Sequence, residues 1–164
     1  MNIFVLDEDP VVAAQSLCDK HVVKMVLESA QLLCNAHWYK GCTAPYRATH
    51  MQHPCTKWVV ASINNYRWLV AHALALSDEY TFRYGKQHRS ASIIKMCERN
   101  EPKLENTWRR PFVQCMPDEY KQTDAVLAYR LYYTKEKAKI ARWTRREPPS
   151  WWPYEEEGEN ERAC

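Results

Sequence analysis

Glycine is scarce, with three in 164 residues: Gly41, Gly85 and Gly158. The two common phosphate-cradling loops are glycine-rich, so a P-loop and a dinucleotide fingerprint are excluded. Tight hairpins also need glycine, which argues against an all-β fold. No apolar run approaches the roughly eighteen uncharged residues of a membrane span. The stretch Met1 to Asp9 lacks a basic start and turns acidic at once, unlike a secretory signal. Seven cysteines without such a signal point to free thiols in a reducing compartment, and the expected location is the cytoplasm. No Cys-x-x-Cys pair occurs among them, so no standard zinc-finger spacing exists.

What is present is ordinary for a globular protein: 46% apolar and 26% charged residues. The net charge of +3 is unevenly spread. Residues 155–164 hold five Glu and one Arg, and the rest of the chain is strongly basic. Between Arg130 and Arg146 stand seven Lys or Arg against one acid, Glu136. Such a body suits a polyanion, nucleic acid above all, although a basic run is also what a solvated helix face looks like. Cys34, His37, Cys42, His50, His53 and Cys55 lie close in sequence, as zinc ligands or as packing residues with local hydrogen bonds. No cofactor or metal is assigned.

The pattern predicts an all-α, single compact domain of about four helices over residues 1–154. It has a short extended N-terminus and an aromatic, Pro-rich C-terminal segment, and an acidic, disordered tail over 155–164. Asp9-Pro10 reads as a cap and first helical residue for a short helix to about Leu17. Asp19 is expected to cap a longer helix to about Trp38. Pro54 opens a helical pattern running to Tyr84, with Gly85 as its stop. A shorter helix starts at Ser90 or Ser92, and a last one runs from Pro117 or Asp118 to Trp143. Prolines 148, 149 and 153 then impose an extended segment, expected to be peripheral enough that loss of 144–164 leaves the fold intact.

The helix after Asp19 is apolar on most sides, yet carries His21, Lys24, Glu28, Gln31 and Asn35 at spacings of three and four. This line is either the helix's one solvated edge or the lining of a cleft. Lys24 lies one turn before Glu28 and would hold that carboxylate ionised and positioned. A fixed carboxylate beside a bound sugar is what glycosidic-bond chemistry requires.

The segment Leu17-Cys-Asp19-Lys-His21-Val-Val-Lys-Met-Val-Leu-Glu28 resembles the start of the pyrimidine-dimer DNA glycosylase family, the phage-type repair enzymes also called endonuclease V. The shared features are Leu-x-Asp-x-His and a Glu seven residues after the His. His53 before a long helix ending in Arg83-Tyr84-Gly85, the stretch Met116-Pro-Asp-Glu-Tyr-Lys121, and the Lys-rich ending with Arg146, Pro149, Trp151 and Trp152 are similar more loosely. Small phage proteins beginning Met-Asn-Ile-Phe are also similar.

The resemblance implies a DNA glycosylase and abasic-site lyase acting on damaged or modified pyrimidines in double-stranded DNA. Its nucleophile would be the chain's own N-terminal amine, that of Met1 or of a processed Asn2. Glu28 would stabilise the cationic sugar, His21 would hydrogen-bond near the lesion, and Lys24 would position Glu28. The family's Arg before its Glu is Leu27 here, and its Arg three residues after is Gln31, with Lys20 and Lys24 as compensating cations. Asn2 is expected to leave Met1 in place.

Further binding to DNA is expected from His53, from Arg83, Lys86 and Arg89 among Tyr80, Phe82, Tyr84 and His88, and from Lys137, Arg142, Arg145 and Arg146 with Trp151 and Trp152. Aromatics stack on bases while cations meet phosphates, though a packed helix-end cluster has the same composition. Two rival readings are a DNA-binding module of the same fold without chemistry and a zinc-stabilised binding protein. No membrane association is expected, and the oligomeric state is not specified.

Overall fold

A computed structural model describes residues 1–153. The expected acidic tail, 155–164, lies outside the described residues. Within them the chain is helical and has no strand.

The expectation of about four helices is corrected to six among the described residues. They are α1 (Pro10–Ser16), α2 (Asp19–Tyr39), α3 (Pro54–Val60), α4 (Ile63–Tyr84), α5 (Ala91–Arg99) and α6 (Ala125–Glu136), with 3-10 turns at Asp118–Tyr120 and Ala138–Ile140. The single predicted helix from Pro54 to Tyr84 is two, because Ser62 is extended (φ −157°, ψ 144°). Its hydroxyl accepts from Asn64 N–H and donates to Thr107 O, so it caps α4 and ties a distant loop at once. The last helix starts just after Asp124, the cap whose carboxylate accepts from the N–H groups of Val126 and Leu127. It ends at Glu136, well before Trp143.

The architecture also differs from one compact bundle. α2 and α4 pack together, α1 lies on α4, and α3 and α5 lie on both. α6 and the two 3-10 turns form a second cluster apart from that bundle. Two extended segments join them. Ile3–Leu6 is buried throughout, and Arg130 of α6 donates to Leu6 O and pairs with Asp7. The core at this junction is aromatic: Tyr129 and Tyr133 are fully buried, and Phe4 lies edge-on to both.

The C-terminal segment is the second join, and it is not peripheral. Trp143 Nε1 donates to Ser16 O. Thr144 donates twice to Asp19. Arg146 pairs with Glu79 of α4, and Trp151 and Trp152 pack edge-on against Tyr133. Asp19 is thus the first residue of α2 rather than its cap, and its carboxylate bridges Thr144 and Arg83. The bridge contributes to holding the Asp19 carboxyl below its usual range against the opposing effect of burial.

Two buried histidines make this packing acid-sensitive. His21 is held down to about 4 by burial first, then by Lys137 and Lys24. His72, packed face to face with Trp68, is held down to about 4 by burial. The unfolded chain binds these protons near pH 6.5 and the folded chain refuses them until about pH 4. Stability is therefore fully present above about pH 6.5 and falls through this window as pH drops. Urea unfolding at pH 7, 6, 5 and 4.5 should show a loss of several kcal/mol, and a flat profile would contradict this account of the core.

Candidate active site

The buried segment Ile3–Leu6 delivers the N-terminus to the side of α2. Asn2 locks it there: its Oδ1 accepts from Ile3 N–H and from the Tyr129 hydroxyl, and its Nδ2 donates to Cys115 O. The Met1 side chain is only 2% exposed, while the residue as a whole is half-buried, so its open part is the backbone end that carries the amine. That amine lies 3.8 Å from Glu28 Oε1. Lys24 Nζ, one helical turn before, lies 3.8 Å from the same oxygen. The Glu28 side chain is 13% exposed and that of Lys24 62% exposed, so the carboxylate is largely covered while the lysine stands open to solvent.

Glu28 Oε2 is buried and receives no hydrogen bond from the described residues. Leaving a buried carboxylate oxygen unpaired costs stability and is uncommon in native proteins. His53 belongs to the same neighbourhood. Burial lowers its pKa first, the N-terminal charge and His50 lower it further, and Glu28 opposes them. The chemistry assembled here is a primary amine, an ionic carboxylate with one free oxygen, and an imidazole biased towards neutrality.

The remaining candidates fall into three groups. Lys20 is exposed and Gln31 half-buried along the same stripe, beside exposed Val23 and Leu27. Lys137 reaches over the Phe4 and Tyr132 rings, close enough to His21 to act on its charge. Lys86, Arg89, Arg142 and Arg145 are exposed.

A second group is turned inward. His21 stacks on Phe4 with centroids 4.5 Å apart, and its Nδ1 is 2.8 Å from the Tyr133 hydroxyl. Asn35 is fully buried and hydrogen-bonds both ways with the backbone of Thr49. Arg83 has no exposed side-chain surface and serves Asp19, Glu79 and the carbonyl of Gln15. In the third group, Arg146, Trp151 and Trp152 are half-buried in the C-terminal join.

Sequence reasoning missed Cys115 and Tyr129, which fix Asn2 from more than a hundred residues away. No local pattern marks such partners. It also missed Trp108, 90% exposed beside Arg109 and Arg110, which has no helical pattern around it to draw notice. A cleft of about 620 Å³ lies elsewhere, lined by Asp7, Gln15, Arg130, Arg145, Arg146 and Trp151 among others, and does not include Met1 or Glu28.

The family model described as pyrimidine dimer DNA glycosylase matches residues 1–92, more than half of the chain. The chain belongs to the pyrimidine dimer DNA glycosylase family. No curated protein and no solved structure matches it. Membership supports a DNA-repair-related function and, broadly, DNA binding. The matched span contains Met1, Asn2, His21, Lys24, Glu28 and His53, while Cys115, Tyr129 and Lys137 lie beyond it. No helix among the described residues is long and apolar enough to cross a membrane.

Proposed function

We propose that this member of the pyrimidine dimer DNA glycosylase family is a DNA glycosylase with abasic-site lyase activity on damaged or modified pyrimidines in double-stranded DNA. The observation that carries the reading is the Met1 amine 3.8 Å from Glu28 Oε1, with the free Oε2 beside it. The unprotonated amine attacks C1′ of the damaged nucleotide. The base departs with the electron pair of the glycosidic bond and the nitrogen sheds a proton. The nitrogen lone pair then expels O4′, which takes up a proton, so the sugar ring opens to a protonated imine at C1′. Glu28 stands where the sugar is cationic and stabilises that charge. It then serves as base for the C2′ proton, whose removal expels the 3′ phosphate. Water hydrolyses the imine and frees the amine.

Lys24 positions Glu28 from the solvent side and does not react. Lys20, Gln31, Lys86, Arg89, Lys137, Arg142 and Arg145 are the side chains available to meet DNA, with His53 near the reacting groups. Arg83, Arg146, Trp151 and Trp152 act mainly inside the protein. Replacing Arg142 and Arg145 with Ala should therefore flatten the dependence of log affinity on log salt by about 0.9 for each phosphate no longer neutralised. Salt titrations of duplex binding check this, and an unchanged slope would remove both residues from the interface.

The reading is tested by incubating the protein with duplexes carrying one abasic site or one pyrimidine dimer, with and without borohydride. Strand cleavage and a covalent complex that survives denaturation are expected. Binding without either product would leave the family fold as a DNA-binding module without chemistry.

A further inference from the structure

We propose that His53, Cys55 and Cys115 form a three-ligand site for a thiophilic divalent cation, zinc being the first candidate. One ligating atom from each residue lies within 4.8 Å of the other two. The two sulfurs are 3.5 Å apart. Thiolates held by one tetrahedral zinc, with bonds of about 2.3 Å, stand roughly 3.8 Å apart. A disulfide would require about 2.04 Å. The observed separation is close to the first and far from the second. Two thiols and an imidazole are a donor set that suits zinc and disfavours magnesium or calcium.

The frame around the sulfurs is built rather than incidental. The Tyr129 hydroxyl accepts from Cys115 N–H, and Asn2 Nδ2 donates to Cys115 O, so the backbone of Cys115 is held on both sides. Asn2 Oδ1 lies 3.9 Å from Cys55 Sγ. Such partners orient ligands in established metal sites. Cys55 is fully buried, while His53 and Cys115 are partly open, which leaves room for a fourth ligand from solvent. His53 Nδ1 now accepts from Cys55 N–H. A cation taken at Nδ1 displaces that donor, and one taken at Nε2 moves the ring proton to Nδ1, so either way one hydrogen bond is exchanged for a coordinate bond.

The chain holds a contrasting pair. Cys34 and Cys97 lie beside each other, but both are fully buried, and among the described residues no third ligand completes a group there. Of the Cys and His residues clustered between Cys34 and Cys55, only His53 and Cys55 enter the site, and Cys115 arrives from a distant loop. Binding converts two thiols into thiolates and releases two protons to solvent, with no change of oxidation state. Apparent affinity should therefore rise with pH. The cation would fasten the Cys115 loop to the start of α3. The proposal does not depend on the glycosylase reading.

The full chain, reduced and stripped with chelator, is titrated with cobalt(II) and then with zinc. One equivalent of cobalt should produce a thiolate-to-metal charge-transfer band and the intense visible bands of tetrahedral cobalt, and zinc should abolish both. Zinc should also protect two thiols from a disulfide reagent. His53→Ala and Cys115→Ser should each weaken zinc binding by about a hundredfold or more, whereas His50→Ala, a neighbouring histidine outside the group, should leave it unchanged. Circular dichroism of each variant shows whether it folds, and the wild-type spectrum and thiol count stand without any variant. Cobalt uptake without a thiolate band, thiols equally reactive with and without zinc, or equal zinc affinity in folded Cys115→Ser would each overturn the site.

Discussion

Glu28→Gln should fold, bind abasic duplex DNA as the wild type does, and lose strand cleavage by about a hundredfold or more. The substitution keeps size and shape and removes only the charge. In the structure that charge lies between two ammonium groups on a side chain 13% exposed, where water screens poorly. Charge stabilisation at such a position is commonly worth about 3 kcal/mol in the transition state, which corresponds to the predicted loss. Stability should fall only modestly: Oε2 has no donor to lose among the described residues, and the two ammonium partners of Oε1 stand 3.8 Å away, Lys24 on a side chain 62% exposed. Thermal melts, gel-shift titrations and single-turnover cleavage on one abasic duplex separate the three quantities. Equal cleavage by the variant would make Glu28 a structural anion for the N-terminus.

Glu79→Ala should lower stability by about 3–5 kcal/mol, and Tm by roughly 10 °C for a domain of this size. Glu79 is 3% exposed and takes hydrogen bonds from two arginines, Arg83 of its own helix and Arg146 of the C-terminal join. Removing it leaves Arg83, which has no exposed side-chain surface, with Asp19 as its remaining carboxylate. A buried charge deprived of a partner costs far more than the pair contributes when intact. Combining Glu79→Ala with Arg83→Met removes the stranded charge and should recover part of the loss. No recovery would place the cost in the cavity instead. Deletion of 144–164 should likewise destabilise the fold, since it removes Arg146, Thr144, Trp151 and Trp152 together.

Local chemistry was the legible part of this fold. Asp9-Pro10 caps α1 as expected, and Gly85 ends α4 with φ 69°, a conformation that suits glycine. Ser62 was overlooked because Trp58 to Tyr66 keeps a helical spacing of apolar residues across the break. The break becomes visible only when Thr107 O is seen to take the Ser62 hydroxyl. The late start of α6 had a readable signal, Asp124 before Ala-Val-Leu, which the more conspicuous Pro117 obscured.

At the site, the spacing of Lys24 and Glu28 was sufficient to pair them. The stripe did not continue as one surface, because the N-terminal segment lies over His21 and the Thr49 loop over Asn35. Arg83 and Arg146 carried the same basic signature as Arg89 and Arg145. Only the long-range carboxylates Asp19 and Glu79 distinguish an internal latch from a free cation.

The central claim is that the α-amine of Met1 is the nucleophile and Glu28 its partner. Two amines stand 3.8 Å from Glu28, those of Met1 and Lys24, and their chemistry is alike enough that cleavage alone does not tell them apart. The decisive measurement is the location of the adduct after borohydride trapping on an abasic duplex, by digestion and mass spectrometry of the modified peptide. A reduced deoxyribose remnant on the Met1 nitrogen is the predicted result. An adduct on Lys24, or no adduct on any peptide of a protein that binds the duplex, would contradict it.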